Sequence, residues 1–211
     1  MLELVTAPTT KAVSTADAKA WLRVTSSDED AQIDALVDAA AGAVEQYLGR
    51  RLLTQTWRLT LDRCPAMNKR QDPWWDGVRE GALSDMFGNP NFIELGLAPV
   101  SAVTSFTYYD LSDTAQTFSS SAYFLDSSSA PARIVLKQGQ IWPTSIRQTK
   151  AIEILFTVGY GGRDSVPAPI LVAIKQTLAA LYENRGECGG EGMIPAGAKE
   201  LLAPYVVRRL V

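Results

Sequence analysis

Histidine is absent from the 211 residues. That absence excludes Ser-His-Asp and Cys-His nucleophile activation, His-ligated zinc and an imidazole pH switch. Cysteine is scarce: Cys64 and Cys188 are too far apart for a CxxC redox pair and too few for a metal cluster. Two separate thiols, or one long-range bridge, are the alternatives. No apolar run approaches the 18 or so residues of a membrane span, so none is expected. The opening MLELVTAPTTKAV lacks a basic region followed by an apolar core, so no signal peptide is expected either. There is also no excess of positive charge. The net charge is −3; residues 1–50 hold four basic and eight acidic side chains (net −4), and residues 51–211 hold sixteen and fifteen (net +1). Without a basic stripe, sequence-specific reading of nucleic acid is disfavoured.

What is present is globular. With 46% hydrophobic and 20% charged residues, the chain has enough apolar surface to build a core and is no disordered tail. Ser14-Thr15-Ala16-Asp17 reads as a helix start with Ser14 as cap, the helix running to about Val24 with Ala18, Trp21 and Leu22 on one side. A second helix follows Ser26-Ser27-Asp28-Glu29-Asp30, whose acids sit at its positive end. Its apolar stripe is Ile33, Leu36, Val37, Ala40, Val44, Tyr47 and Leu48, and Gly49 is a natural left-handed terminator. The period then becomes two at residues 56–61, a half-buried strand. Residues 64–91 have no clean period and read as a long loop. Strand signals return at 92–97, 102–109, 122–125, 133–137 and 151–158. Val166-Pro167-Ala168-Pro169 opens a long helix that should end near Arg185-Gly186, with Ile170, Ile174, Leu178, Leu181 and Tyr182 apolar. Residues 198–202 supply a last turn or two.

The predicted class is α+β: a helical bundle core, an inserted antiparallel β unit and an extended C-terminal tail. The divisions are 1–53 (N-terminal helices), 54–165 (β unit with loop 64–91), 166–186 (C-terminal core helix) and 187–211 (linker and tail).

Candidate functional residues each carry two readings. Asp28-Glu29-Asp30 lacks the EF-hand spacing and is explained by capping and helix-dipole complementarity. Asp34, Asp38 and Glu45 form either a solvated helix face or an acidic wall beside DNA or a neighbouring subunit. Gly159-Tyr160-Gly161-Gly162 matches neither phosphate-loop pattern and reads as a tight connection. Trp74 and Trp75, adjacent indoles in a polar loop, pack either under the loop, against a partner or adjacent copy, or against bases. Arg208-Arg209, between valines and a leucine, belong either to a frayed end or to a hook that adds to a partner. A carboxylate-based enzyme is the remote alternative, but Asp62, Asp110, Asp126 and Glu153 all have turn or strand-surface explanations. No cofactor, metal or catalytic residue is expected.

In order along the chain stand KAWLRV (19–24), DEDAQIDALVDAAAGAVEQYLGRRLLTQTWRLTLDRCP (28–65), APVSAVTSFTYYD (98–110), YFLD (123–126), ARIVLKQGQIWP (132–143), IEILFTVGYG (152–161), VPAPILVAIKQTLAALYENRG (166–186) and IPAGAKELLAPYVV (194–207). This set resembles the tailed-phage head–tail connector, or adaptor, family in its longer form with a β insertion, which also occurs in prophages and gene transfer agents. The combination of the Tyr47–Leu53 joint, the QTW strand, the QIWP turn and the VP-helix-YENR ending carries the likeness. Residues 66–91 are its least family-like part.

The resemblance implies a structural virion protein, not an enzyme: a ring beneath the portal, twelve-fold in the particle, that continues the DNA channel and receives the stopper or another tail-side protein. It implies location in the virion neck, with assembly in the host cytoplasm, no membrane, and double-stranded DNA passing without sequence-specific binding. By resemblance the C-terminal segment contacts the portal, which singles out Ile194, Leu201, Tyr205, Val206, Val207, Arg208, Arg209 and Leu210. Another neck or tail-completion protein of the same particle is the alternative.

Overall fold

In the computed structural model, residues 1–64, 92–184 and 193–207 are described. The chain forms two compact units, each discontinuous in sequence: a β unit of residues 1–6, 56–96 and 100–157, and a helical unit of residues 7–55, 97–99 and 158–211.

The helical unit is built on α1 (Thr15–Leu22), α2 (Asp30–Leu48), α3 (Ala168–Glu183) and α4 (Ala196–Leu202). The Ser14 hydroxyl accepts the Asp17 amide at 3.1 Å, as its capping position requires. Helix α1 ends two residues before Val24, because Arg23 turns left-handed at φ 58°. Gly49 ends α2 at φ 64°. Helix α3 stops at Glu183, before the Arg185-Gly186 pair, with the Asn184 amide and side chain both donating to the Ala180 carbonyl.

Ile33, Val37, Ala40, Val44 and Leu48 of α2 are buried in one core with Ile170, Ala173, Ile174 and Leu178 of α3 and Ala198 and Leu202 of α4. Each large apolar side chain taken from water contributes about 1.5–3 kcal/mol, and no single helix could bury its stripe alone. Two aromatic residues depart from the predicted stripes. Trp21 is 45% exposed and Tyr47 38%. In an eight-residue helix the buried strip is narrow, and Ala18 occupies it; Trp21 flanks the strip and is roofed by the Lys175 ammonium, 5.6 Å from its ring centre.

The β unit contains β1 (Leu2–Thr6), β2 (Gln55–Leu61), β3 (Phe92–Glu94), β4 (Val100–Tyr109), β5 (Ala115–Thr117), β6 (Tyr123–Asp126), β7 (Arg133–Leu136) and β8 (Ile152–Val158). A five-stranded sheet has the order β1-β2-β8-β4-β5, and a three-stranded sheet the order β3-β7-β6. The pairs β1–β2, β4–β5, β3–β7 and β6–β7 are antiparallel. In β8 every second residue is buried (Ile152, Ile154, Phe156, Val158), the alternation its sequence predicts. Phe106, Phe118, Tyr123 and Trp142 cluster with centroids 5.0–6.0 Å apart. Burial pushes the Cys64 thiol up to about 12, so this cysteine is a packing residue and a poor nucleophile.

No periodicity in the sequence marks residues 2–6 or 115–117 as strands. Both segments are exposed along their whole length, so neither shows a buried face for periodicity to reveal.

Candidate assembly surfaces

Helix α2 ends with carbonyls that no further turn can satisfy. The C-terminal segment meets part of that need: the Val207 amide donates to the Leu48 carbonyl at 2.9 Å. Arg50 adds a second tie, its Nε donating to the Tyr205 carbonyl at 2.6 Å. Val207 also lies against the bare backbone of Gly49, where a Cβ would be 3.5 Å from its own. Ile194 and Leu202 are buried, while Leu201, Tyr205, Val206 and Val207 are half-buried. Of the candidate portal contacts, then, Ile194, Leu201, Tyr205, Val206 and Val207 are brought together on the chain's own helical core. Arg208, Arg209 and Leu210 lie outside the described residues, as do Trp74 and Trp75.

The candidate acids are all engaged. Lys11 Nζ lies 2.7 Å from Asp34 and 2.8 Å from Asp38. The Thr15 hydroxyl also donates to Asp34 at 2.8 Å. The Lys11 and Thr15 hydrogen bonds hold the Asp34 carboxyl below its ordinary range, and the same contact with Asp34, then that with Asp38, raises Lys11. Glu45 accepts Arg51 at 2.8 Å and the Leu52 amide at 2.9 Å. These three acids form no bare wall: Lys11 and Arg51 offset two of their three charges. Sequence reasoning missed both cations because each is remote in sequence from the turn of α2 it serves or lies beyond a helix terminator.

The acidic helix start is also occupied, though not by side-chain capping. Glu29 is the cap residue of α2 but makes no capping hydrogen bond with its side chain; its carboxylate accepts the Tyr182 hydroxyl at 2.5 Å. Asp30 pairs with Lys19 at 2.5 Å, and Asp17 pairs with Arg163.

The glycine run has no amides to offer a phosphate at its first two positions. The Gly159 amide donates to Pro99 and the Tyr160 amide to Leu52, both at 2.9 Å, and the Gly161 carbonyl accepts the Thr54 amide. Gly159 holds φ 114°, and a Cβ there would sit 2.2 Å from the Leu53 carbonyl oxygen. The run is a tight connection because backbone from two other segments closes over it.

The acids considered for carboxylate chemistry are turn and sheet residues. Asp110 caps a turn, accepting the Ser112 and Thr114 amides. Asp126 pairs with Arg133 at 2.8 Å and binds Ser128, Asp62 accepts the Lys150 amide, and Glu153 lies by Arg58. Among the described residues no group of three or more His, Cys, Asp or Glu is placed to hold a metal ion, and no helix is long and apolar enough to cross a membrane.

The chain is thus a helical unit interrupted in sequence by a β unit, with ion-paired surfaces and a terminal segment tied to its own second helix. Comparison with known proteins carries this further: residues 14–72 match the family described as Phage gp6-like head-tail connector protein. Across all of this chain and 97% of the other, the fold matches a chain in the neck of an empty GTA particle computed with C6 symmetry, with 24% identity and a TM-score of 0.76. It likewise matches a chain in the neck of a native GTA particle computed with C12 symmetry (24%, TM-score 0.73) and one in the virion of a native gene transfer agent particle (23%, TM-score 0.72), with the same coverage. No curated protein matches the sequence significantly. The chain therefore carries the connector family's pattern in its first helices and β2, and the fold of neck proteins throughout.

Proposed function

We propose that this protein is a head–tail connector of a tailed-phage or gene-transfer-agent particle, a structural ring component of the neck. The observation that carries the reading is likeness to neck chains along the whole length, together with the family match over residues 14–72. In this reading the chain acts by geometry. Copies stand side by side beneath the portal in a ring, twelve-fold in the particle, and stopper or tail-side proteins dock below. DNA passes through the lumen without being read, and the acids of α2, with two of their three charges offset by Lys11 and Arg51, suit a wall that does not grip phosphate. The portal contact falls on the C-terminal segment, which must then either bind as it lies on α2 or leave that position. Trp74 and Trp75 are assigned to a subunit or partner contact. Assembly takes place in the host cytoplasm and the finished position is the virion neck.

Affinity purification of the tagged full-length chain from cells making the particle tests this reading. Recovery of the portal protein supports it. Recovery of tail proteins without portal would move the assignment to tail completion.

A further inference from the structure

The five-stranded sheet ends in two different strands, β1 and β5, and hydrogen-bond alternation shows which backbone groups each leaves free. Met1 and Thr60 exchange both bonds, at 2.7 and 2.9 Å. With Leu2 opposite Leu59, Glu3 opposite Arg58 and Leu4 opposite Trp57, the amides and carbonyls of Leu2 and Leu4 point away from β2. A register irregularity between Leu4 and Thr6 ends this regular edge. On the other side, the Phe118 amide bonds Phe106 and the Asp110 amide bonds Thr114. With Tyr108 opposite Gln116, the outward groups of β5 belong to Ala115 and Thr117. Each edge thus presents a three-residue stretch with outward groups at its first and third positions. Among the described residues, none of these groups has a partner.

Edge strands of stable monomers are guarded by proline, lysine, inward-pointing charge, bulges or brevity. Proline, lysine and inward-pointing charge are absent from both stretches; brevity and the irregularity beyond Leu4 are the guards they have. Leu2 and Leu4 are 37% and 44% exposed, Glu3 is turned to Arg58 at 3.4 Å, and Ala115-Gln116-Thr117 is uncharged. A closed ring needs two unlike, mutually complementary surfaces on every subunit, and two opposite edges of one sheet meet that need.

We infer that β1 of one copy pairs with β5 of the neighbouring copy, joining the five-stranded sheets of adjacent subunits through the outward groups of Leu2, Leu4, Ala115 and Thr117. This rests on the connector reading and assigns its side-to-side contact. The contacts Arg58–Glu153 and Asp62–Lys150 make β2 antiparallel to β8, and Ser101–Thr157 and Tyr109–Ala151 make β4 antiparallel to β8. So β1 and β5 run in the same sense, and a rotational neighbour brings them together in parallel. Glu3 then stands opposite Ala115 or Thr117.

The test is oxidative cross-linking of Glu3→Cys/Ala115→Cys and Glu3→Cys/Thr117→Cys in purified particles, with each single variant as control. A ladder of covalent oligomers from one of the two double variants, at least tenfold above the single variants, is expected. The chain present in particles but giving no ladder with either double variant overturns the pairing while leaving the connector reading intact. A chain absent from wild-type particles overturns both. Thr117→Pro is the companion variant, because it removes an outward amide and leaves the β4 ladder its bonds. It should keep the wild-type melting temperature within a few degrees and lose at least tenfold in particle incorporation; a folded Thr117→Pro chain that incorporates normally overturns the pairing.

Discussion

Lys11 serves two carboxylates at once, and the residue scale is where its consequence is measurable. Asp34 is held below its ordinary value of 3.8, first by the Lys11 hydrogen bond and then by that of Thr15. A carboxyl that holds its proton less tightly when folded stabilises the fold above the unfolded value, and loses that contribution as pH falls through the folded one. Melting temperature should therefore be flat between about pH 5 and about pH 8 and decline below about pH 4. Asp17 and Asp110, also lowered, act in the same direction. In Lys11→Met, NMR titration of the Asp34 carboxyl carbon should shift upward, and an unchanged midpoint would contradict the assignment. Gly159 makes a harder demand. At φ 114°, with a Cβ position 2.2 Å from the Leu53 oxygen, Gly159→Ala combines backbone strain with overpacking. It should lose about 3 kcal/mol or more in denaturant unfolding.

At the scale of elements, the α2–α3 pairing sets the helical unit. Leu178 is fully buried in that core, so Leu178→Ala should cost about 2–5 kcal/mol. Arg50→Ala removes the Nε tie to Tyr205 and should cost about 1 kcal/mol in urea unfolding while leaving helix content by circular dichroism unchanged. The α2 stripe and the alternation of β8 were legible in sequence because each buries one continuous face. The edge strands β1 and β5 were not, because their conformation comes from pairing with β2 and β4 and leaves no buried face. The same limit applies to the surfaces. Asp34, Asp38 and Glu45 could be picked out as an acidic face, but not their pairing with Lys11 and Arg51, which depends on tertiary placement. Residues 201–207 were legible as an apolar segment, yet their tie to the end of α2 rests on backbone groups, which every sequence carries alike.

For the whole molecule, the connector reading makes the absence of histidine and of a basic stripe fit one duty: holding a position and letting DNA pass. Duplex DNA should accordingly show no retained binding to the free chain at about 150 mM salt, where specific or multiply charged contacts would persist. The most direct measurement is cryo-electron microscopy of the chain mixed with its cognate portal. The account predicts a ring of this chain on the tail-facing side of the portal, around a continuous central channel. Portal rings that stay bare across assembly conditions, while the chain remains folded, would contradict it.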